Sequence, residues 1–405
     1  MLHRVSQQIL DHNAGRDPLR VAMKFARLRQ DPFGFFRGTN HLFLESLPRA
    51  HRLWRAPAVF VCGDLHLENF GTFKGDNRLC YFDINDFDEA CLAPISIDLV
   101  RFACSVHMAA STLKWPAALR TSMVRSFLQA YGEAIMDGKP RWVERVLAEG
   151  PVRALLKRAT ERTRNQLLDR YTARRRKRRR LRIDYHLLLE APPRETPPIR
   201  RMLAQLVRHR AAAGLTPEFL NLLDVAHRVA GNASLGCARF ALLVEGRGSP
   251  RGNFVLDLKA AEVSATAHWA RLKQPDFGGE AGRVVHVQRL LQAISPALLS
   301  PVRVGRRDFV LKELQPSLDR LDLAALDAKA RRLRRVASTM GAVCAWAHLR
   351  SAGHHGAASR EALQRFVSVR GWSSQVDVLA RGATRALLDA YRQYGEDYDA
   401  GRIVY

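Results

Sequence analysis

The 405-residue chain is 47% hydrophobic and 26% charged, a globular composition that excludes wholesale disorder and suits one large two-lobed domain or two ordinary ones. Lys and Arg number 65 against 39 Asp and Glu, and the formal net charge of +26 attracts polyanions such as nucleic acid, acidic lipid or phosphorylated ligands. The six cysteines lack C-x-x-C spacing, Met1 to Gln8 lacks the apolar core of a signal peptide, and no run approaches the roughly 18 apolar residues of a membrane span, so a zinc ribbon and a transmembrane protein are excluded and a cytoplasmic location is expected.

Residues 1–57 read as a basic helical segment, punctuated by Asp31-Pro32-Phe33-Gly34. Ala58 to Cys62 is a short buried strand ended by Gly63-Asp64. Thr72-Phe73 and Leu79 to Ile84 are strands around the turn Lys74-Gly75-Asp76-Asn77, and Ile97 to Leu113 is an apolar helix, so residues 58–140 form the next unit. Arg141 to Arg182 carries sixteen Lys/Arg against four Asp/Glu. With Pro192-Pro193 and Pro197-Pro198 behind it, this stretch predicts a basic helical insertion and Pro-rich linker over 141–220. Residues 221–320 turn to strand character. Cys237 to Val244 and Asn253 to Lys259 flank a Gly/Pro/Ser turn as a hairpin does, Arg283 to Ile294 is a helix, and Asp308 to Leu314 is another strand. Residues 321–405 read as helices, including Leu333 to Leu349.

The chemistry concentrates in Gly63-Asp64-Leu65-His66-Leu67-Glu68-Asn69. Phosphoryl transfer needs a carboxylate to orient the acceptor hydroxyl and oxygen ligands that hold Mg²⁺ against the nucleotide phosphates. Kinase-type loops supply both, as Asp followed five residues later by Asn. Asp64 and Asn69 have this spacing, and Asp86 and Asp88 at the end of the next strand supply the second metal-binding carboxylate group. The loop resembles the His-Gly-Asp-x-His-x-x-Asn segment of aminoglycoside phosphotransferases and choline kinases. Asp86-Phe87-Asp88-Glu89 resembles their metal motif, and Ile97-Asp98-Leu99 resembles the Asp-Leu that steadies the loop. The resemblance implies Asp64 as catalytic base, Asn69 and Asp86 as Mg²⁺ ligands and Asp98 as a structural residue. The family's leading His is Cys62 here, a departure that bears on the hydrogen bonds supporting the loop. Over most of its length the chain also resembles domain of unknown function 2252, a bacterial family, through Pro32 to Gly38, Gly63 to Gly71, Phe82 to Glu89, Gly231 to Gly236, Leu258-Lys259 and Ala347-His348.

A kinase-type site also needs a Gly-rich turn over the phosphates and a strand bearing Lys. Only helices precede the short strand that leads into Asp64. Downstream, Gly231, Ser234 and Gly236 form a small-residue turn, the second strand after it ends in Lys259, and Glu280 is the nearest acid on the following helix for an ion pair with that lysine. The expected fold is therefore α+β: a protein-kinase-like two-lobed fold, circularly permuted, with a small antiparallel sheet in the nucleotide lobe and a mainly helical catalytic lobe. The expected function is an ATP- and Mg-dependent phosphotransferase with a small-molecule acceptor. Three alternatives accompany it. Asp64-Leu65-His66 matches the Asp-x-His of metallophosphoesterases, though their later Gly-Asp-x-x-Asp and Gly-Asn-His are missing. Arg174 to Arg182 suits a polyanion or nucleic-acid partner, with aromatics limited to Tyr171 and Tyr185. A nucleotide-binding but silent pseudokinase is the third.

Overall fold

The computed structural model describes residues 2–210, 216–315, 320, 321, 323 and 329–404. Four helices open the chain: α1 (Arg4–Asn13), α2 (Pro18–Gln30), α3 (Pro32–Gly38) and α4 (Asn40–Ser46). Local chemistry sets the middle two. Asp17 and Asp31 each accept from a backbone N–H of the first turn, that of Arg20 and of Gly34, and each is followed by a proline at a position that needs no N–H.

Strand β1 (Ala58–Val61) pairs antiparallel with β4 (Cys91–Pro94), and β2 (Phe70–Lys74) with β3 (Cys80–Ile84). Helix α5 (Ser96–Leu113) runs through the middle of this half, and residues Ser96 to Ala110 are all buried. Packed around it and one another are α6 (Ala117–Asp137), α12 (Ala330–Ser351), α13 (Arg360–Ser368) and α14 (Trp372–Asp399). Phe102 of α5 stacks on Phe127 of α6 with ring centroids 3.6 Å apart. The helical reading of the C-terminal region holds for these elements, while residues 322 and 324–328 lie outside the described residues.

The second half is a six-stranded antiparallel sheet in the order β11-β12-β10-β9-β8-β7. Its strands are β7 (Leu188–Glu190), β8 (Leu222–Arg228), β9 (Arg239–Val244), β10 (Phe254–Ala260), β11 (Ser300–Val304) and β12 (Arg307–Glu313). Alternation along β10 sorts its side chains. Phe254, Leu256, Leu258 and Ala260 join Ile199, Met202 and Leu203 of α9 (Thr196–Arg210) in one apolar cluster. Asp257 and Lys259 therefore point to the opposite face. Helices α10 (Ala265–Ala270) and α11 (Glu280–Leu291) follow β10 and link the sheet to the helical half.

The basic stretch departs from expectation. After α7 (Gly150–Glu161) and α8 (Arg164–Tyr171), the arginine block folds as a two-stranded ribbon, β5 (Thr172–Arg175) with β6 (Arg178–Leu181), and not as a helix. A helix would have stacked like charges at every turn. The ribbon instead sends Thr172, Arg179 and Leu181 inward, with Arg179 bonded to Asp169, Thr172 and the Pro250 carbonyl. The expected Pro-rich linker is likewise ordered: Pro197 and Pro198 sit in the first turn of α9, where missing N–H groups cost nothing.

At Gly341 the backbones of α12 and α6 touch, and a Cβ there would overlap the Phe127 carbonyl. Gly341→Ala is expected to force the two helices apart and to lower unfolding free energy by roughly 1–3 kcal/mol, the usual range for overpacking, measured by urea denaturation.

Candidate active site

Asp98, at the first turn of α5, aims its carboxylate back at the end of β1. Both its oxygens accept backbone N–H groups, from Cys62 and Gly63, at 2.8 Å each. Oδ2 also lies 3.2 Å from His348 Nε2, and His348 Nδ1 lies 2.9 Å from the Tyr131 hydroxyl. Gly63 has φ +79, and a Cβ on it would overlap the Glu89 carbonyl, so only glycine makes this turn. The turn delivers Asp64 to the floor of a cleft. Cys62 answers the question raised by its replacement of His: its thiol donates to the Asp86 carbonyl at 3.2 Å and tethers the two motif loops.

Asp64 is 2.7 Å from the guanidinium of Arg101, which is fully buried and stacked on Phe36 at 3.6 Å. Burial pushes the Asp64 carboxyl up to about 7, against the pull of Arg101. The Asn69 side-chain amide donates to the Asp64 and Asp86 carbonyls at 3.1 and 3.2 Å, while its Oδ1 is buried and unpartnered among the described residues. That oxygen, with the carboxylates of Asp86 and Asp88, is a hard-oxygen set suited to a divalent cation.

The cation that meets those carboxylates here is Lys259. Its ammonium lies 3.4 Å from Asp86 Oδ1 and contacts Asp88 Oδ2 more closely still. Burial would raise Asp86, but Lys259 together with Lys312, Arg320 and Arg239 holds the carboxyl far below its ordinary value. Asp88 moves the other way, raised by burial and by the neighbouring Asp86 charge. Lys259 stays charged, because the two acids more than offset its burial. The lysine thus lies beside the carboxylates, in one cleft, although 173 residues separate it from Asp86.

Glu280 does not take the expected role. It pairs with Arg283, one turn along α11, at 2.7 Å, a favourable place for an acid at a helix N-terminus. Arg283 in turn donates to the carbonyls of Ala90, Asp88 and Glu262. The residues α11 presents to the cleft are Val284 and Gln288.

The Gly231–Gly236 turn joins β8 to β9. Its carbonyls face α2: Arg27 donates to Gly231 at 3.3 Å, and Lys24 and Arg16 donate to Ala233 at 2.9 and 3.3 Å. Among the described residues the N–H groups of Gly231 to Gly236 donate to no backbone carbonyl. Gly231 and Ser234 line the cleft, whereas Gly236 does not. Gly236 has φ +92, and a Cβ on it would press on Val21 of α2, so it is a packing glycine.

The cleft has two cavities that share Asp86, Asp88, Gly231 and Arg320 as common wall. The larger, about 280 Å³, lies under the sheet and contains Lys259. Its roof is a charged network that residue patterns did not reveal. Asp257 accepts from Arg228 at 2.7 Å and from Arg239 at 2.6 Å, and these guanidiniums overcome burial to hold it well below the carboxylate range. Burial brings Lys312, its cross-strand neighbour, down to about 8. The smaller cavity, about 100 Å³, holds Asp64, His66 and Asn69. Arg101, Arg239 and Asp257 were legible only as charged residues within an apolar helix or an alternating strand, and His348 only as part of the family-like Ala347-His348 pair.

Asp98, Cys344 and His348 also bring three ligand atoms within 4.8 Å of one another, but the Asp98 oxygens are already occupied by the two backbone N–H groups.

Together these features define a mixed α/β protein whose helical half and antiparallel sheet meet at an acid-lined cleft with one buried lysine. The chain belongs to the family described as uncharacterized protein conserved in bacteria (DUF2252), whose model matches residues 16–399. No curated protein and no solved structure gives a significant match. Among the described residues no helix is long and apolar enough to cross a membrane.

Two predictions follow from the bonding. In Asp98→Asn an amide N–H would face a backbone N–H, leaving a buried donor unpaired, and unfolding free energy should fall by roughly 1–3 kcal/mol in denaturant titration. Lys24 is fully buried, bonded to neutral partners, and brought down to about 7 by burial and then by Arg16. Its folded value lies below the unfolded one, so the unfolded chain binds more protons between pH 7 and about 10.5, and stability rises with pH in that window. Between pH 7 and 9 the native protein should gain about 2 kcal/mol relative to Lys24→Met in parallel urea titrations.

Proposed function

We propose that the chain is an ATP- and Mg-dependent phosphotransferase of the kinase-like type, with the usual order of lobes permuted and a small-molecule acceptor. One observation carries this reading. Lys259, from the sheet, and Asp86, from the metal motif, face each other at 3.4 Å across one cleft, although they lie in different halves of the chain. The order of parts from β8 onward supports it: a small-residue turn between two antiparallel strands, a lysine on the third strand, then a helix against the cleft.

In this reading the nucleotide lies in the larger cavity. Lys259 leaves the carboxylates for the phosphates, and the undonated N–H groups of the Gly231–Gly236 turn complete the phosphate cradle. Asn69 and Asp86, with Asp88 beside them, hold Mg²⁺, which neutralises charge on the phosphates. Asp64, with a carboxyl near 7, takes the proton of the acceptor hydroxyl as the oxygen bonds to the γ-phosphorus, the β–γ bridge breaks and ADP leaves. The Arg101 ion pair on Asp64 weighs against the phosphoesterase alternative, since a carboxylate already bound by a guanidinium is a poor metal ligand. The exposed arginines of the β5–β6 ribbon remain the candidate polyanion surface.

Binding to the folded state raises apparent stability, by about 2.7 kcal/mol at a hundredfold excess over Kd. ATP with Mg²⁺ should therefore raise the thermal midpoint of the native protein. Asp86→Ala should lose the magnesium-dependent part of the shift, and Lys259→Ala most of it. A midpoint unmoved by any nucleoside triphosphate with Mg²⁺ would overturn the reading.

A further inference from the structure

The smaller cavity has a wall that phosphoryl transfer leaves unused. Fifteen buried side-chain polar atoms lack hydrogen-bond partners among the described residues, and seven of them belong to residues lining this one cavity. Beyond Asn69 Oδ1 they are Arg37 Nε, Asn40 Oδ1, both ring nitrogens of His41, His66 Nδ1 and Asn232 Oδ1. Asn40, His66 and Asn232 are at least nine-tenths buried. Folded proteins rarely leave such groups unpaired, and their concentration at one place beside Asp64 points to a ligand that satisfies them.

The chemistry of the wall selects the ligand. Several of its charged side chains already have partners within the protein. Arg37 pairs with Glu68, Arg16 bonds Asn13 and the Ala233 carbonyl, and Glu89 accepts from Ser264 and Thr266. Arg320 sits on the edge shared with the phosphate cavity. Most of the orphaned groups are uncharged. His41 stacks on His12 at 4.0 Å, and burial, with His12 and Lys24 nearby, pushes it down to about 2. A neutral imidazole offers one donor and one acceptor, and an amide oxygen accepts. Hydroxyl groups, which both donate and accept, match these neutral unpartnered groups.

We propose that this pocket is the acceptor subsite and takes a small uncharged polyol, held through its hydroxyls by Asn40, His41, His66 and Asn232. The transfer role rests on the phosphotransferase reading, while the binding does not. At one water per ~10–15 Å³, the cavity has room for roughly seven to ten non-hydrogen atoms. One hydroxyl then loses its proton to Asp64 as its oxygen takes the γ-phosphoryl group of ATP and ADP departs.

Saturation-transfer NMR with glycerol, erythritol and ribitol tests the subsite. His41→Phe keeps the ring stack and removes no existing hydrogen bond, so it is expected to fold, as its thermal midpoint will report. The expected result is polyol signal on the native protein and an apparent affinity at least about tenfold weaker in His41→Phe, the loss of one or two hydrogen bonds. A comparison that needs no variant sets erythritol against 1,4-butanediol, which lacks two hydroxyls and should give no signal. Absence of polyol binding, equal binding by His41→Phe or butanediol, or displacement of ribitol by glycerol 3-phosphate or putrescine at equal concentration would overturn the subsite. A thermal shift with Mg·ATP on native protein that binds no polyol overturns the subsite alone. Polyol binding without that shift sustains the subsite and overturns the transfer reading.

Discussion

The carboxylate of Asp98 gathers the helical half around one point. It receives two backbone N–H groups from the end of β1 and meets His348 from α12, which in turn meets Tyr131 from α6. Asp98 and the rings of His348 and Tyr131 are buried, so each bond replaces water that cannot reach it. The angle at which the chain leaves β1 is fixed by this network and by Gly63. Asp64, Asn69 and the tether from Cys62 to the Asp86 carbonyl all depend on that angle. The network forms the floor on which the cleft is built.

The cleft is closed by interactions between segments far apart in the chain. Lys259 neutralises Asp86 and Asp88 from the sheet side. The Gly-rich turn is held from outside by Lys24 and Arg27 of α2 and by Arg16 of the α1–α2 connection, and Asn232 donates to the Gly34 carbonyl at 2.6 Å. The N-terminal helices are therefore a brace on the sheet's principal loop as well as part of the helical core. Such bracing limits local opening of a loop that has few strand contacts of its own.

Much of this was readable from residue order. Gly63 to Asn69 and Asp86 to Glu89 stood out because few residue types make a sharp turn and carry convergent oxygens. The β9–β10 hairpin and the buried helix α5 followed from alternation and from apolar continuity. What was not readable depended on tertiary contact. A run of seven basic residues gave no sign that Arg179 would turn inward to Asp169 and make a ribbon. Glu280 is the nearest acid to Lys259 on the helix that follows, but helix geometry gives it to Arg283. Gly236 reads like a phosphate-loop glycine, and its freedom serves the packing of α2. Arg101 and His348 are buried polar residues on α5 and α12, and their roles emerge only when α5, α12 and β1 converge.

The cross-chain pairing of Lys259 also orders events during synthesis. The ribosome delivers Asp86 and Asp88 well before the lysine that neutralises them, 173 residues beyond Asp86. At ~5–20 residues per second this interval lasts roughly ten to thirty seconds. During it the emerged N-terminal segment holds two adjacent carboxylates with no lysine against them, and the N-terminal brace has no loop to grip. The acidic cleft therefore acquires its cation only when the sheet has emerged, and the helices α12 and α14 that pack on α6 and α5 come later still.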